Sequence, residues 1–191
     1  MTMKQQMQSS AYPLKLADVK KIIVAAPTFR DRCVIKSLFW LGLRREEVTL
    51  LDIRDIDFQR RRVTVRGKGD KTRVVPVIDE ETLSDLNHLI GDRKVGFVFL
   101  SERNRQLSLR QVNYITQRAG ELAEVKNPNP RLTHINPHIF RHSIARYLKS
   151  DGLGGEWAQN FLGHNSIKTT MDIYGTISID EMQEVAERRL A

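Results

Sequence analysis

The sequence has one cysteine, Cys33, among 191 residues. A single thiol excludes an internal disulfide and any metal site built from several cysteines, and it favours a reducing, cytoplasmic setting. The sequence also lacks an apolar run near the ~20 residues that a membrane helix needs. Its start is polar and has no apolar centre of the kind found in signal peptides. We therefore expect no membrane partner and no disulfide framework.

Basic charge is what the sequence has in excess. The 31 lysines and arginines outnumber the 23 aspartates and glutamates, which gives a net charge of +8. Such an excess favours a polyanionic partner such as nucleic acid. Ribosomal proteins and cationic secreted proteins share this property, so charge alone leaves the partner open.

The spacing of apolar residues predicts an α+β fold that is mainly helical with one small antiparallel β-sheet. We expect residues 1–11 to be a disordered tail or linker and residues 12–191 to form a single domain. The strands are predicted at 55–58, 62–66 and 72–77, with a short extended segment at 97–100. The helices are predicted from Leu16 and at 28–41, 80–90, 107–125, 137–149, 156–162, 166–173 and 178–190.

Two basic residues lie at predicted turns of the chain. Arg44 follows the glycine that ends the second predicted helix, and Glu47 is placed to orient its guanidinium. Lys68 lies between two glycines at the predicted hairpin tip, where a mobile ammonium can enter a groove and donate a proton. The commoner interpretation of each is a solvated surface cation. The glycine spacing around Lys68 is not that of a nucleotide-binding P-loop.

His138 and Arg141 are three residues apart at the start of a predicted helix, so their side chains point to nearly the same side. An imidazole, a guanidinium and the positive end of a helix together suit a phosphate. A metal site at His134, His138 and His142 is the alternative. We disfavour it because Pro137 interrupts the helical register and no zincin-like glutamate follows.

Two further candidates lie near the end of the chain. His164 comes just after a predicted helix stop, and Tyr174 follows it by ten positions. Taken alone, such a histidine is more often a capping residue, and such a tyrosine more often belongs to a core or an interface. Cys33 lies in an apolar helix, which predicts a packing residue with no reactive role.

Taken in order, these motifs resemble the signature of the tyrosine recombinases, the family of lambda-type integrases and Xer recombinases. The resemblance covers about residues 12–190 and implies a tyrosine recombinase catalytic-domain fold. In members of that family a separate N-terminal helical DNA-binding domain usually precedes this one, and we expect it to be absent from this chain. The matching strings are GLR at 42–44, GKG at 67–69, HIFRH at 138–142, LGH at 162–164, and Tyr174.

The resemblance implies a catalytic set and a reaction. Tyrosine would attack a DNA phosphate, giving a 3′-phosphotyrosyl link and a free 5′-hydroxyl, with no metal or other cofactor. The arginines would bind the non-bridging oxygens, the lysine would protonate the leaving oxygen, and the histidines would accept a proton or donate a hydrogen bond. The implied partners are double-stranded DNA and further protomers in a synaptic tetramer. The implied catalytic residues are Arg44, Lys68, His138, Arg141, His164 and Tyr174.

Two other functions share these residues. One is a recombinase-like protein that binds DNA without cutting it, and the other is a type IB topoisomerase. The complete set of six argues against the first, and the LGH motif and short chain argue against the second. The sequence leaves open the DNA target and the kind of recombination event. It also leaves open whether the helix at 178–190 packs on its own domain or on a neighbouring protomer.

Overall fold

A computed structural model describes residues 12–67, 72–150, 161–162 and 183, with side chains described up to residue 148 in the second range. The described part is mostly helical with one antiparallel three-stranded sheet, which confirms the predicted α+β class. The helices are α1 (Leu16–Ala25), α2 (Phe29–Trp40), α3 (Arg45–Leu50), α4 (Glu80–Ile90), α5 (Leu109–Leu122) and α6 (Pro137–Ser150). The strands are β1 (Ile56–Asp57), β2 (Arg62–Arg66) and β3 (Thr72–Pro76), with a 3-10 turn at Ile53–Asp55.

Local hydrogen bonds set the ends of the helices. Thr28 caps α2, as predicted, because its hydroxyl accepts from the Asp31 backbone N–H at 3.1 Å. Helix α5 is shorter than the predicted 107–125. Its start is fixed by the Ser108 hydroxyl, which accepts from the Gln111 N–H at 3.2 Å, and it ends before Glu124, whose φ is 53°.

The sheet has the order β1-β2-β3, and each pair of neighbours is antiparallel. Strand β1 is shorter than the predicted run at 55–58. Val63 pairs with Val75 and Val65 pairs with Arg73. Side chains alternate between the two faces of a strand, so Arg73 shares the inward face with three buried valines.

Helix α2 lies at the centre of the core. Val34, Ile35 and Leu38 are completely buried on it, and α2 packs against both α4 and α6. Cys33 is also buried there, which confirms its packing role. Burial raises the pKa of its thiol to about 12, with a smaller contribution from Asp85, so the thiol stays protonated.

The last described residue, Gln183, lies within the predicted C-terminal helix at 178–190. Gln183 is helical, and its Oε1 accepts a hydrogen bond from Arg62 Nε on β2 at 3.5 Å. This contact places one residue of that helix against its own domain. The apolar residues that helical spacing places along one side of this helix, Ile179, Met182, Val185 and Leu190, lie outside the described residues. None of the described helices combines the length and the apolar character needed to cross a bilayer.

Candidate active site

Arg44 stands immediately before α3 and is held by the first turn of that helix. Its backbone N–H donates to Glu47 Oε2 at 2.7 Å, and its Nη1 donates to Glu47 Oε1 at 2.8 Å. An acid at this position of a helix commonly reaches back to the residue before the helix. The side chain of Arg44 is 37% exposed, and among the described residues its guanidinium donates no other hydrogen bond. One edge of the guanidinium is therefore available to a ligand.

The Glu47 carboxylate also binds a second guanidinium. Arg73 Nη1 donates to Oε1 at 2.7 Å and Arg73 Nη2 donates to Oε2 at 2.8 Å, so the pair is bidentate. Only 4% of the Glu47 side chain is exposed. Burial acts to raise the pKa of Glu47, but Arg73 and then Arg44 outweigh it and lower the pKa to about 2. Glu47 is therefore ionised, and the three side chains carry a net positive charge.

Arg141 joins two other parts of the site from the second turn of α6. Its Nη1 donates to the carbonyl of Gly42 and its Nη2 donates to the carbonyl of Leu162. Burial, and then the charges of Arg44 and Arg73, lower its pKa to about 9, while Glu47 opposes the shift. The buried cation is thus surrounded by other cations, and an anion bound here would relieve their repulsion.

His138 lies in the first turn of α6, and Asn136 precedes that turn. The Asn136 Oδ1 accepts from the His138 backbone N–H at 3.1 Å. Although His138 keeps contact with solvent, desolvation is the largest cause that lowers its pKa. Glu46 opposes the shift, and Arg45, Arg141 and Arg44 add to it. The imidazole is therefore neutral at pH 7 and able to accept a proton.

The structure brings together three of the six predicted site residues. Arg44, His138 and Arg141 act on one another electrostatically, and Arg141 binds the segment just before Arg44. The other three, Lys68, His164 and Tyr174, lie outside the described residues. Leu162, which accepts from Arg141, is two positions before His164 in the sequence.

The histidines of the alternative metal site have other neighbours. His134 Nδ1 lies 3.5 Å from Glu121 Oε1 on α5. Burial, and then the charges of His138 and Arg141, lower the pKa of His142 to about 4. Within the described ranges, no group of three or more His, Cys, Asp or Glu side chains is arranged to hold a metal ion.

Arg73 is the residue that sequence reasoning missed. Its signal is its position in β3, where the inward residue two places later, Val75, is completely buried. A cation at an inward position of a strand is commonly paired with a buried acid. The sequence therefore contained a sign of a buried ion pair, but it did not identify Glu47 as the partner.

Taken together, the described residues form an α+β domain with a cationic site suited to a phosphate. The pattern of the phage integrase family matches residues 13–179. Tyrosine recombinase XerC of Corynebacterium glutamicum is 32% identical over 161 residues, which cover 81% of this chain and 49% of that protein. Tyrosine recombinase XerA of Thermococcus kodakarensis is 32% identical over 185 residues, which cover 90% of this chain and 60% of that protein.

A solved structure agrees with these sequence matches. The crystal structure of XerA recombinase has a TM-score of 0.69 and 26% identity, covering 92% of this chain and 64% of that one. The chain belongs to the phage integrase family, the tyrosine recombinases, as the resemblance of its motifs predicted. It spans 49% and 60% of the length of the two curated relatives.

Proposed function

We propose that this chain is the catalytic domain of a site-specific DNA recombinase, which cleaves and rejoins DNA through a 3′-phosphotyrosyl intermediate. The observation that carries the proposal is the cationic site formed by Arg44, His138 and Arg141, in which the buried guanidinium of Arg141 and the partly exposed guanidinium of Arg44 repel one another. Phosphoryl transfer depends mainly on positioning and on stabilising charge at the non-bridging oxygens. A site with an excess of fixed positive charge meets that requirement.

In this proposal the two arginines bind the scissile phosphate. The available edge of Arg44 and the guanidinium of Arg141 hold the non-bridging oxygens, as planar groups that stay charged. The neutral imidazole of His138 accepts the tyrosine proton or assists in binding the phosphate. These roles use the burial and the charges that the described residues show.

The remaining roles fall to residues outside the described part and come from the family motifs. The Tyr174 oxygen attacks phosphorus while the bond from phosphorus to the 5′-oxygen breaks. Lys68 gives a proton to that leaving oxygen, and His164 donates a hydrogen bond to the phosphate. The energy of the phosphodiester is kept in the phosphotyrosyl bond, so religation needs no ATP. We propose that a metal ion is not required either.

The proposed partners are double-stranded DNA and further copies of the protein. The net charge of +8 supports binding to a polyanion. Strand exchange in this family requires four protomers at a synapse, and we propose the same assembly here. The proposed location is the cytoplasm, because a chain with a single cysteine suits a reducing setting.

The test is trapping of a covalent protein–DNA adduct. Wild-type protein is mixed with a pool of nicked duplexes whose central sequence is randomised, because the target sequence is unknown. The nick releases a short 5′-hydroxyl fragment, so cleaved complexes accumulate and appear as a slow band on a denaturing gel. We expect adducts from wild type, also with excess chelator, and none from Tyr174→Phe.

Tyr114→Phe is the matched control, since Tyr114 is 65% exposed on α5 and belongs to no proposed role. It should form adducts at the wild-type rate. Normal adduct yield from Tyr174→Phe would refute the assignment of the nucleophile. Binding of the pool by wild type without any adduct would favour the DNA-binding alternative, and relaxation of supercoiled plasmid without strand exchange would favour the topoisomerase.

A further inference from the structure

The ion pair between Glu47 and Arg73 lies directly behind Arg44. Glu47 Oε1 accepts from Arg44 Nη1 at 2.8 Å and from Arg73 Nη1 at 2.7 Å. Its Oε2 accepts from the Arg44 backbone N–H at 2.7 Å and from Arg73 Nη2 at 2.8 Å. An ionised carboxylate accepts about four hydrogen bonds. The carboxylate is therefore saturated and cannot rotate without losing a bond.

The two arginines share this carboxylate unequally. Arg73 uses two guanidinium nitrogens and is only 13% exposed, whereas Arg44 uses one and is 37% exposed. Arg73, the more buried of the two, thus forms the bidentate pair, which is the stronger kind of pairing. Arg44 is left with a single side-chain tether and a guanidinium edge that faces away from Glu47.

Loss of Arg73 would change the environment of Arg44 in two ways. The full negative charge of Glu47 would act on Arg44 alone, which weakens attraction of a second anion. Both carboxylate oxygens would also be open to the Arg44 side chain, so Arg44 could form the bidentate pair itself. Either change would weaken the binding of a phosphate by the Arg44 guanidinium.

We propose that Arg73 is a positioning residue for Arg44: by occupying both oxygens of Glu47, it keeps the charge and the open edge of Arg44 available to phosphate. The inference rests on the proposed function only in taking Arg44 as a phosphate ligand. In this proposal Arg73 acts only through Glu47, with which its guanidinium forms the bidentate pair, and does not itself bind the phosphate.

The first readout is binding of inorganic phosphate, which needs neither DNA nor cleavage. The phosphate affinity of Arg44 is followed by NMR of its ¹⁵N-labelled side chain, assigned by its loss in Arg44→Lys. We expect Arg73→Gln to weaken phosphate binding about tenfold or more, which corresponds to ~1.4 kcal/mol. Arg73→Lys should show a similar loss, because lysine keeps the charge but cannot occupy both oxygens.

Two further variants separate positioning from simple charge or stability. Glu47→Gln combined with Arg73→Gln should bind phosphate better than Arg73→Gln alone, because the unshared negative charge is removed. Arg66→Gln is the matched control: Arg66 lies on the neighbouring strand β2 and pairs at 2.8 Å with another buried carboxylate, Asp55. It removes the same charge without touching Glu47 and should leave phosphate binding near wild type.

Two outcomes would overturn the proposal. Wild-type phosphate affinity in Arg73→Lys would show that Arg73 supplies charge only. A double variant as weak as Arg73→Gln, with a lower melting temperature, would show that the pair only stabilises the fold. If Arg73→Gln does not fold, Arg73→Lys and the double variant still decide between these outcomes.

The second readout is the rate of adduct formation on a nicked duplex recovered from the randomised pool. Misplacement of one phosphate ligand should slow single-turnover cleavage by up to ~100-fold. Affinity for duplex DNA, which sums many phosphate contacts, should change by less than about threefold. Absence of adducts from wild type would refute the proposed function, whereas the phosphate titration would still test the role of Arg73.

Discussion

At the scale of single residues, two arginines of the site are fixed by oxygens from distant parts of the chain. Arg73 is held by Glu47, and Arg141 is held by the carbonyls of Gly42 and Leu162. Long side chains lose much rotational freedom when they are fixed in this way. This loss of side-chain entropy occurs on folding, before a ligand binds. A preorganised phosphate site requires this.

The pKa of Glu47 makes a prediction about stability and pH. Its folded value, about 2, lies below the ordinary value of 4.5, so the folded state binds fewer protons than the unfolded state between these values. The stabilisation is therefore complete above about pH 4.5 and is lost as pH falls toward 2. The shift corresponds to a contribution on the order of 3 kcal/mol.

We expect the free energy of unfolding, from urea titrations between pH 6 and pH 2.5, to fall less steeply for Glu47→Gln than for wild type. Glu102→Gln, which changes an exposed glutamate, is the control and should keep the wild-type slope. Parallel curves for wild type and Glu47→Gln would mean that this carboxylate is not the acid-sensitive group.

At the scale of elements, the site lies where four segments meet: the end of α2, the start of α3, strand β3 and the first turns of α6. Arg141 on α6 and Arg73 on β3 provide the cross-links between them. Gly42 lies at this junction. Its φ is 57°, its carbonyl accepts from Arg141, and the side chain of Leu162 leaves no room for a Cβ.

Gly42→Ala should damage both stability and activity. An added Cβ would lie 2.7 Å from Leu162 Cδ2 and 3.1 Å from Phe161 Cε1, in a conformation that non-glycine residues rarely adopt. We expect a loss of about 1–3 kcal/mol in unfolding free energy. Displacement of the Gly42 carbonyl should also slow adduct formation, because it moves the acceptor of Arg141.

Gly91→Ala is the matched control for this prediction. Gly91 has a φ of 58°, but an added Cβ there meets nothing within 4 Å. It measures the conformational cost alone, and it should leave adduct formation unchanged. Equal losses of stability and activity in the two variants would show that the approach of Leu162 to Gly42 is unimportant.

At the scale of the whole molecule, the net charge of +8 should govern DNA binding. Each neutralised phosphate releases condensed counterions, so the logarithm of the binding constant falls with the logarithm of salt concentration by about 0.9 per contact. We expect steep salt dependence for binding of duplex DNA, measured by fluorescence anisotropy between low and physiological salt.

Arg44→Gln should reduce that salt slope by about one contact if Arg44 binds a phosphate. Arg54→Gln is a suitable control, because Arg54 is exposed, pairs with Asp52 at 2.8 Å and has no role in the proposed site. An affinity for duplex DNA that does not change with salt concentration would contradict the prediction that basic side chains neutralise DNA phosphates. An unchanged slope in Arg44→Gln would remove Arg44 from the phosphate contacts.

Most of the described elements and part of the site could be predicted from the sequence, although helix α3 was not predicted. Helix α4 has the predicted bounds, Thr28 caps α2, and His138 and Arg141 share the start of one helix. These features depend on apolar spacing and on hydrogen bonds between residues a few positions apart. Such short-range interactions can be predicted from the order of residues. The six candidate catalytic residues came from the resemblance of the motifs, in their order along the chain, to the tyrosine recombinases.

The way in which the site is held depends on contacts between distant parts of the chain. Glu47 and Arg73 are 26 residues apart, and Arg141 and Gly42 are 99 apart. No local pattern specifies which buried acid meets which buried cation, because that depends on how the sheet and helices pack. The same packing leaves His138 in contact with solvent and buries Arg141, although both belong to the first turns of α6. The order of residues thus predicted the candidate phosphate ligands, and the tertiary packing determined which residues hold them in place.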